Sequence, residues 1–236
     1  MTRALRAVRA PLVVHRIGRA PAPWAWPDWS YATDEGTFGN RYDDPRGAYR
    51  VLYASTQRRG CFLETLARFR PDPALVAGLA EIAGDPRDRR YETAPAGAIP
   101  AGWLRRRRVG RARLGGEFFD VGHSTSLAWL REQLEARLVH YDIDDLDAAA
   151  IRLSVPRRFT QEVGRVIYEQ ANAKGGRRFA GLRYLSRVGD EFENWALFEP
   201  ASIAAVKPAE RVRRDDPDLL AALEQLGLAL SPTASR

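Results

Sequence analysis

GTFGNRYDDPRGAYRVLYASTQRRGCFLETLARF, from Gly36 to Phe69, decides how the rest of the chain reads. It opens as a loop of glycines and aspartates, residues that favour turns. Arg50 to Ala54, RVLYA, then reads as a strand. Ser55 or Thr56 is placed to cap a following helix. In that helix Phe62, Leu63, Leu66 and Phe69 recur at helical spacing and form one apolar face. At about 100° per residue, Glu64 falls nearly opposite that face. It precedes Arg68 by one helical turn, the order that favours a surface ion pair. From periodicity alone, Glu64 reads as a solvated surface glutamate, yet Arg41 and Tyr53 stand close to it in sequence. A plain strand-turn-helix needs none of these polar groups.

Outward from this stretch, Leu12 to Ile17, LVVHRI, reads as an earlier strand. Between the two strands runs a long loop holding Trp24, Trp26, Trp29 and Tyr31. Its prolines, glycines and aspartates break regular structure. Its aromatics argue for order, either lining a cleft or packing as a buried flap. Downstream, a helix-like segment from Pro71 runs into a turn over residues 84–90. Strands are expected from Ile99 to His123 around a turn at Gly115-Gly116. An amphipathic helix starts at Ser124 or Thr125 as cap and carries Leu127, Leu130, Leu134 and Leu138. DDLDAAAIRL gives a short helix, and FTQEVGRVIYEQANA a longer one capped by Thr160. AGLRYLSRV and NWALFEP read as two further strands. DDPDLLAALEQLGLAL is a helix with a proline near its start and a leucine stripe (Leu219, Leu220, Leu223, Leu226) that packs on its own domain. The end, SPTASR, is expected to fray. Strands and helices mix without a βαβ rhythm, which predicts α+β with a mixed sheet and flanking helices. The expected organisation is an N-terminal arm over 1–11, one domain over 12–207, and a C-terminal helix and tail over 208–236.

The totals narrow the function. The chain has 236 residues, enough for a substantial core, with 45% hydrophobic and 28% charged residues. The net charge is +7, and Lys174 and Lys207 are its only lysines. An arginine-rich surface attracts polyanions, from a nucleotide diphosphate to nucleic acid. Arg105 to Arg108 is the densest basic run, expected on an edge strand or exposed loop because alternate strand residues face opposite ways. Cys61 stands alone, which excludes an internal disulfide and a cysteine-based zinc site. His15, His123 and His140 lack metal-ligand spacing, so no metal is expected. There is no P-loop, GxSxG or HExxH. The N-terminal apolar segments are broken by Arg6 and Arg9, unlike a signal peptide, and no run is long enough to span a membrane. The expected compartment is a reducing cytoplasm.

Five pieces together resemble the RES domain family, small bacterial proteins that include toxins encoded beside an Xre-type helix-turn-helix antitoxin. VVHRI resembles the opening family strand, with its arginine at Arg16. GTFGNRYDD resembles the glycine-bearing loop, with its arginine at Arg41. RVLYAS resembles the strand ending in a tyrosine, at Tyr53. CFLETLARF resembles the helix carrying the glutamate, at Glu64. AGLRYLSR with ENWALFEP resembles the C-terminal strand pair, with the serine at Ser186. The chain departs from the pattern at Tyr42-Asp43, where tryptophan-asparagine is more usual.

The resemblance implies an ADP-ribosyltransferase-like site acting on NAD as substrate, with no separate cofactor. It implies cleavage of the nicotinamide–ribose bond, by a glycohydrolase or phosphorylase, with transfer of ADP-ribose to a protein as the alternative. Glu64 would stabilise the ribosyl cation. Arg16 and Arg41 would hold the diphosphate, Tyr53 would wall the nicotinamide, and Ser186 would orient a neighbour by hydrogen bonding. The implied partner is an antitoxin. A nucleic-acid-binding or interaction module without catalysis is the remaining alternative, although the chain alone gives little support for nucleic acid.

Overall fold

The computed structural model describes residues 5–11, 13–34, 36–81, 96–153 and 156–232. Leu12, the turn expected over 84–90 and the last residues of the tail lie outside them. In chain order the strands are β1 (Ala7–Val8), β2 (Val14–Arg19), β3 (Val51–Ser55), β4 (Ala98–Ile99), β5 (Arg107–Leu114), β6 (Phe118–Asp120), β7 (Gly181–Leu185), β8 (Glu193–Phe198), β9 (Ile203–Ala205), β10 (Glu210–Arg211) and β11 (Ala229–Leu230). The helices are α1 (Arg58–Leu66), α2 (Pro73–Ala80), α3 (Ala101–Arg105), α4 (Ser124–His140), α5 (Ala148–Leu153), α6 (Arg157–Tyr168) and α7 (Pro217–Leu226).

Nine strands form one mixed sheet in the order β1-β6-β7-β8-β3-β2-β5-β10, with β9 also on β5. β6 and β7 are parallel, and the other pairs of this sheet antiparallel. This is the expected α+β class. The segments set outside the domain by sequence pack into it: β1 adds to β6, β10 to β5, and α7 lies on α1. Asp216 caps α7 by accepting from the Asp218 and Leu219 amides, and Pro217 opens it. Leu219, Leu223 and Leu226 are buried in the domain, while Leu220 is exposed.

Register assigns the faces. Residues directly opposite across a pair share a face, and neighbours along a strand alternate. Val51, Tyr53 and Ser55 pair with Phe198, Ala196 and Asn194, and Leu182 and Tyr184 pair with Ala196 and Asn194. These residues occupy one face. Two apolar clusters cover it. One holds Phe119, Leu182 and Phe198 against α4, α5 and α6; the other holds Ile17, Phe62 and Phe192 against α1, α3 and α7. Along β8 the change of cluster falls on a polar residue, Asn194, between Phe192 and Ala196. On the opposite face Val14, Leu52, Trp195 and Leu197 form a third cluster, covered by Trp24 and Trp26 of the long loop. That loop is a packed flap.

Several local expectations change. Arg105 belongs to α3, and β5 is flanked by β2 and by β9 and β10, so the arginine run is not on an edge strand. His123 caps α4 in place of Ser124 or Thr125, its Nδ1 accepting from the Thr125 amide at 3.3 Å. Thr160 lies inside α6, fully buried, and donates to the Arg157 carbonyl. Neither Ser55 nor Thr56 caps α1. Both donate to Glu193, through its carbonyl and its Oε2, at 2.9 and 2.7 Å. Those hydroxyls therefore fix the start of α1 against β8.

Candidate active site

Helix α1 places Glu64. It buries Gly60, Cys61, Phe62, Leu63 and Leu66 and leaves Glu64 exposed. A Cβ on Gly60 would come within 2.5 Å of Ser55 Oγ, so the first turn sits close on β3. Cys61 donates its thiol to the His15 carbonyl at 3.0 Å, and burial pushes its pKa up to about 12. It acts as a packing residue.

The Glu64 carboxylate does not pair with Arg68. Its Oε1 accepts from Ser186 Oγ at 2.6 Å and from Asn194 Nδ2 at 3.0 Å. Both donors are 1% exposed, one just beyond β7 and the other on β8. Ser186 Oγ also accepts from the Val188 amide at 3.1 Å, which fixes the direction of its own proton. Oε2 has no hydrogen-bond partner among the described residues. One carboxylate oxygen is held and the other is open.

Arg41 reaches the same region from the loop. α6 pins that loop: Gln161 Nε2 donates to the Asn40 carbonyl at 3.2 Å, Arg165 pairs with Asp44 at 2.9 Å, and Gly164 lies so close to Tyr42 that a Cβ would meet its carbonyl oxygen at 2.8 Å. Arg41 is 8% exposed and pairs with neither Asp43 nor Asp44. Its Nη2 donates to the Ile151 carbonyl, and its Cζ lies 5.3 Å from the Tyr42 ring and 5.2 Å from the Tyr184 ring. The Tyr184 hydroxyl is pushed well above its ordinary pKa by burial, then by the Glu64 charge, against the opposing pull of Arg41. Glu64 and Arg41 are thus both felt at one ring.

Tyr53 has its hydroxyl fully engaged. It donates to Asp43 Oδ1 at 3.0 Å and accepts from the Tyr42 amide at 2.9 Å. Burial, then Asp43, drive its pKa well above the usual value. Asp43 also accepts at Oδ2 from the amide and the side chain of Asn40, both at 2.7 Å, and burial raises its own pKa despite these bonds. Tyr53 therefore ties the Arg41–Tyr42 loop to β3.

Arg16 is the one predicted site residue that the fold does not bring to this group. His15 pairs with Ser55, so the next residue, Arg16, faces the opposite side of the sheet. There its Nε donates to the Pro23 carbonyl at 2.8 Å and its Nη1 to the Tyr53 carbonyl at 2.7 Å. Burial lowers its pKa to about 10. It bolts the aromatic flap to the sheet. Conversely, Asn194 and Tyr184 were not singled out from sequence. A buried asparagine inside the apolar strand NWALF, and a tyrosine two positions before Ser186, are the signals that point to them.

The α+β domain thus holds the Glu64 carboxylate by a serine and an asparagine, and sets Arg41 over the ring of Tyr184, whose strand neighbour is that asparagine. The sequence model of the RES domain matches residues 13–218, and the chain belongs to the RES domain family. No curated protein matches it.

Proposed function

We propose that the protein consumes NAD by breaking the bond between nicotinamide and ribose. The observation that carries this reading is the Glu64 carboxylate, anchored through Oε1 by Ser186 and Asn194 with Oε2 free. As the C–N bond breaks, its electron pair goes to the nicotinamide ring, which leaves neutral. The ribosyl carbon takes on oxocarbenium character. A fixed carboxylate beside that carbon stabilises the developing charge without reorganising. The cation is then captured by water, with loss of a proton, or by a phosphate oxygen. In this ADP-ribosyltransferase-like scheme Arg41 is the cation for the diphosphate. Arg16 takes no part because of its side of the sheet. Tyr53 acts by holding the loop of Arg41. Family membership is consistent with an NAD-related role, and with a toxin acting in the cytoplasm and neutralised by a helix-turn-helix antitoxin. Among the described residues no helix is long and apolar enough to cross a membrane.

The test is incubation of the purified protein with NAD, with and without phosphate, followed by chromatographic identification of products. Free nicotinamide with ADP-ribose indicates hydrolysis, and ADP-ribose 1-phosphate indicates phosphorolysis. ADP-ribose attached to an added protein indicates transfer. Intact NAD beside folded protein would count against all three. Growth arrest on expression, relieved by Glu64→Gln, tests the toxin role.

A further inference from the structure

A pocket of about 210 Å³ opens at the end of β7, between α5 and the turn leading into α4. Its wall carries three arginines, Arg41, Arg152 and Arg183, against one acid, Asp120. The three are not equivalent. Arg183 is neutralised, with Nη1 3.2 Å from Asp120 and Nε 2.7 Å from Glu193. Among the described residues Arg152 pairs with Asp190 alone, at 2.9 Å in a solvent-exposed pair, and such pairs are weak. Its guanidinium is free to exchange that partner for a better one. Among the described residues Arg41 has no acid partner. A guanidinium carries five N–H donors, yet among the described residues only Nη2 of Arg41 has an acceptor, and its Nε is enclosed and unpartnered. A buried cation without a counter-charge is costly. Its position points to an anion that arrives with a ligand. Gly122 and His123, which lead into the 17-residue α4, line the same pocket. The N-terminus of a long helix adds partial positive charge there.

We propose that this pocket holds the diphosphate of the dinucleotide, between Arg41, Arg152 and the first turn of α4. The inference rests on the NAD reading above and gives the substrate a direction. The volume is below the roughly 300–1,000 Å³ of clefts that enclose drug-sized ligands. It suits the diphosphate and an adjoining sugar, not the whole dinucleotide. Leu185 lines the pocket, and the next residue, Ser186, holds Glu64. The end of β7 therefore stands between the two halves. The nicotinamide ribose lies toward α1, the phosphates beyond Tyr184, and the adenosine leads out past α5.

The experiment is calorimetric titration of the full chain with ADP-ribose, inorganic pyrophosphate and nicotinamide riboside, beside NAD kinetics. It uses Arg152→Ala, Arg152→Lys and Asp190→Ala, whose side chains are each more than a third exposed. An unfolding midpoint for each variant reports its fold. Arg152→Ala should weaken ADP-ribose and pyrophosphate about tenfold or more. It should raise the KM for NAD by a similar factor, hold kcat within about twofold, and leave nicotinamide riboside binding unchanged. Arg152→Lys should fall between, and Asp190→Ala should tighten both phosphate ligands. Unchanged ADP-ribose affinity and unchanged KM in Arg152→Ala, with NAD still turned over, overturn the pocket and leave the enzyme. Pyrophosphate binding that Arg152→Ala weakens, in a protein that leaves NAD intact, sustains the diphosphate site and overturns the enzyme. Failure of the wild-type chain to bind pyrophosphate or turn over NAD overturns both.

Discussion

The two faces of the sheet treat the same residue type in opposite ways. On the flap side, Arg16 has its guanidinium held by two main-chain carbonyls. Backbone there approaches so closely that a Cβ on Gly18 would lie 2.3 Å from the Pro23 carbonyl oxygen, and one on Gly110 2.4 Å from Trp24 Nε1. No ligand fits between such layers. On the other side, two apolar clusters meet along a polar seam marked by Asn194, Tyr184 and Glu64, and Arg41 is buried there with no acid partner among the described residues. A single step of strand alternation, from His15 to Arg16, puts Arg16 on the flap side, whereas Arg41 comes to the other side from a loop.

The strongest challenge to this contrast is Glu64→Gln. Turnover of NAD should fall about 100- to 1,000-fold, the scale of losing one preorganised electrostatic group. The urea midpoint should barely move, because glutamine keeps an Oε1 acceptor for Ser186 and Asn194. Undiminished turnover would remove the polar seam from the chemistry. Arg16→Ala and Arg41→Ala should then separate. Arg16→Ala strips charged donors from two carbonyls and should lower unfolding free energy by about 2–4 kcal/mol, with KM for NAD unchanged in the folded protein. Arg41→Ala should raise KM at least about tenfold. If the two effects trade places, the assignment of faces is wrong. Tyr53→Phe is milder. It leaves Asp43 Oδ1 and the Tyr42 amide unpaired and should cost about 1–3 kcal/mol, measured by urea unfolding.

The smallest effect is a pH dependence at Asp43. Burial raises its folded-state pKa above the ordinary 3.8. The group then binds its proton more tightly when folded, so its contribution is fully present below about pH 3.8 and is lost as pH rises through the raised folded value. Asp43→Asn has no such proton. Its stability relative to wild type should therefore shift in favour of the variant as pH rises from about 4. A pH-independent difference between their urea curves would show that Asp43 ionises as it does in the unfolded chain.

Much of the site could be read locally. The period that puts Glu64 opposite Phe62, Leu63 and Leu66 is a property of one helix, and it leaves Glu64 off the buried face, although the partners of its carboxylate are Ser186 and Asn194 and not Arg68. AGLRYLSRV is equally legible as a strand, and Ser186, which the family resemblance singles out, lies just beyond β7. What sequence lacked was register. Whether Arg16 shares a face with Tyr53 depends on which residue of β2 opposes Ser55, a pairing fixed by chain far away. Tyr184 and Asn194 face each other across β7 and β8 for the same reason, and neither carries a motif of its own. The hydroxyls of Ser55 and Thr56 do not cap because a distant residue, Glu193, accepts from both, whereas Thr160 lies inside α6 and bonds back to the Arg157 carbonyl of its own first turn.

The last helix sets how much chain the chemistry requires. Arg58, in the opening turn of α1, is clamped by Asp216 at 2.6 Å and Asp218 at 2.8 Å, and Leu219, Leu223 and Leu226 pack under Phe62. A chain stopped at residue 207 would keep Glu64, Arg41 and Ser186 in its sequence. It would nonetheless lose the floor and the tether of the rod that aims the carboxylate, so shortening at a point remote in sequence would act as a lesion at the reaction centre.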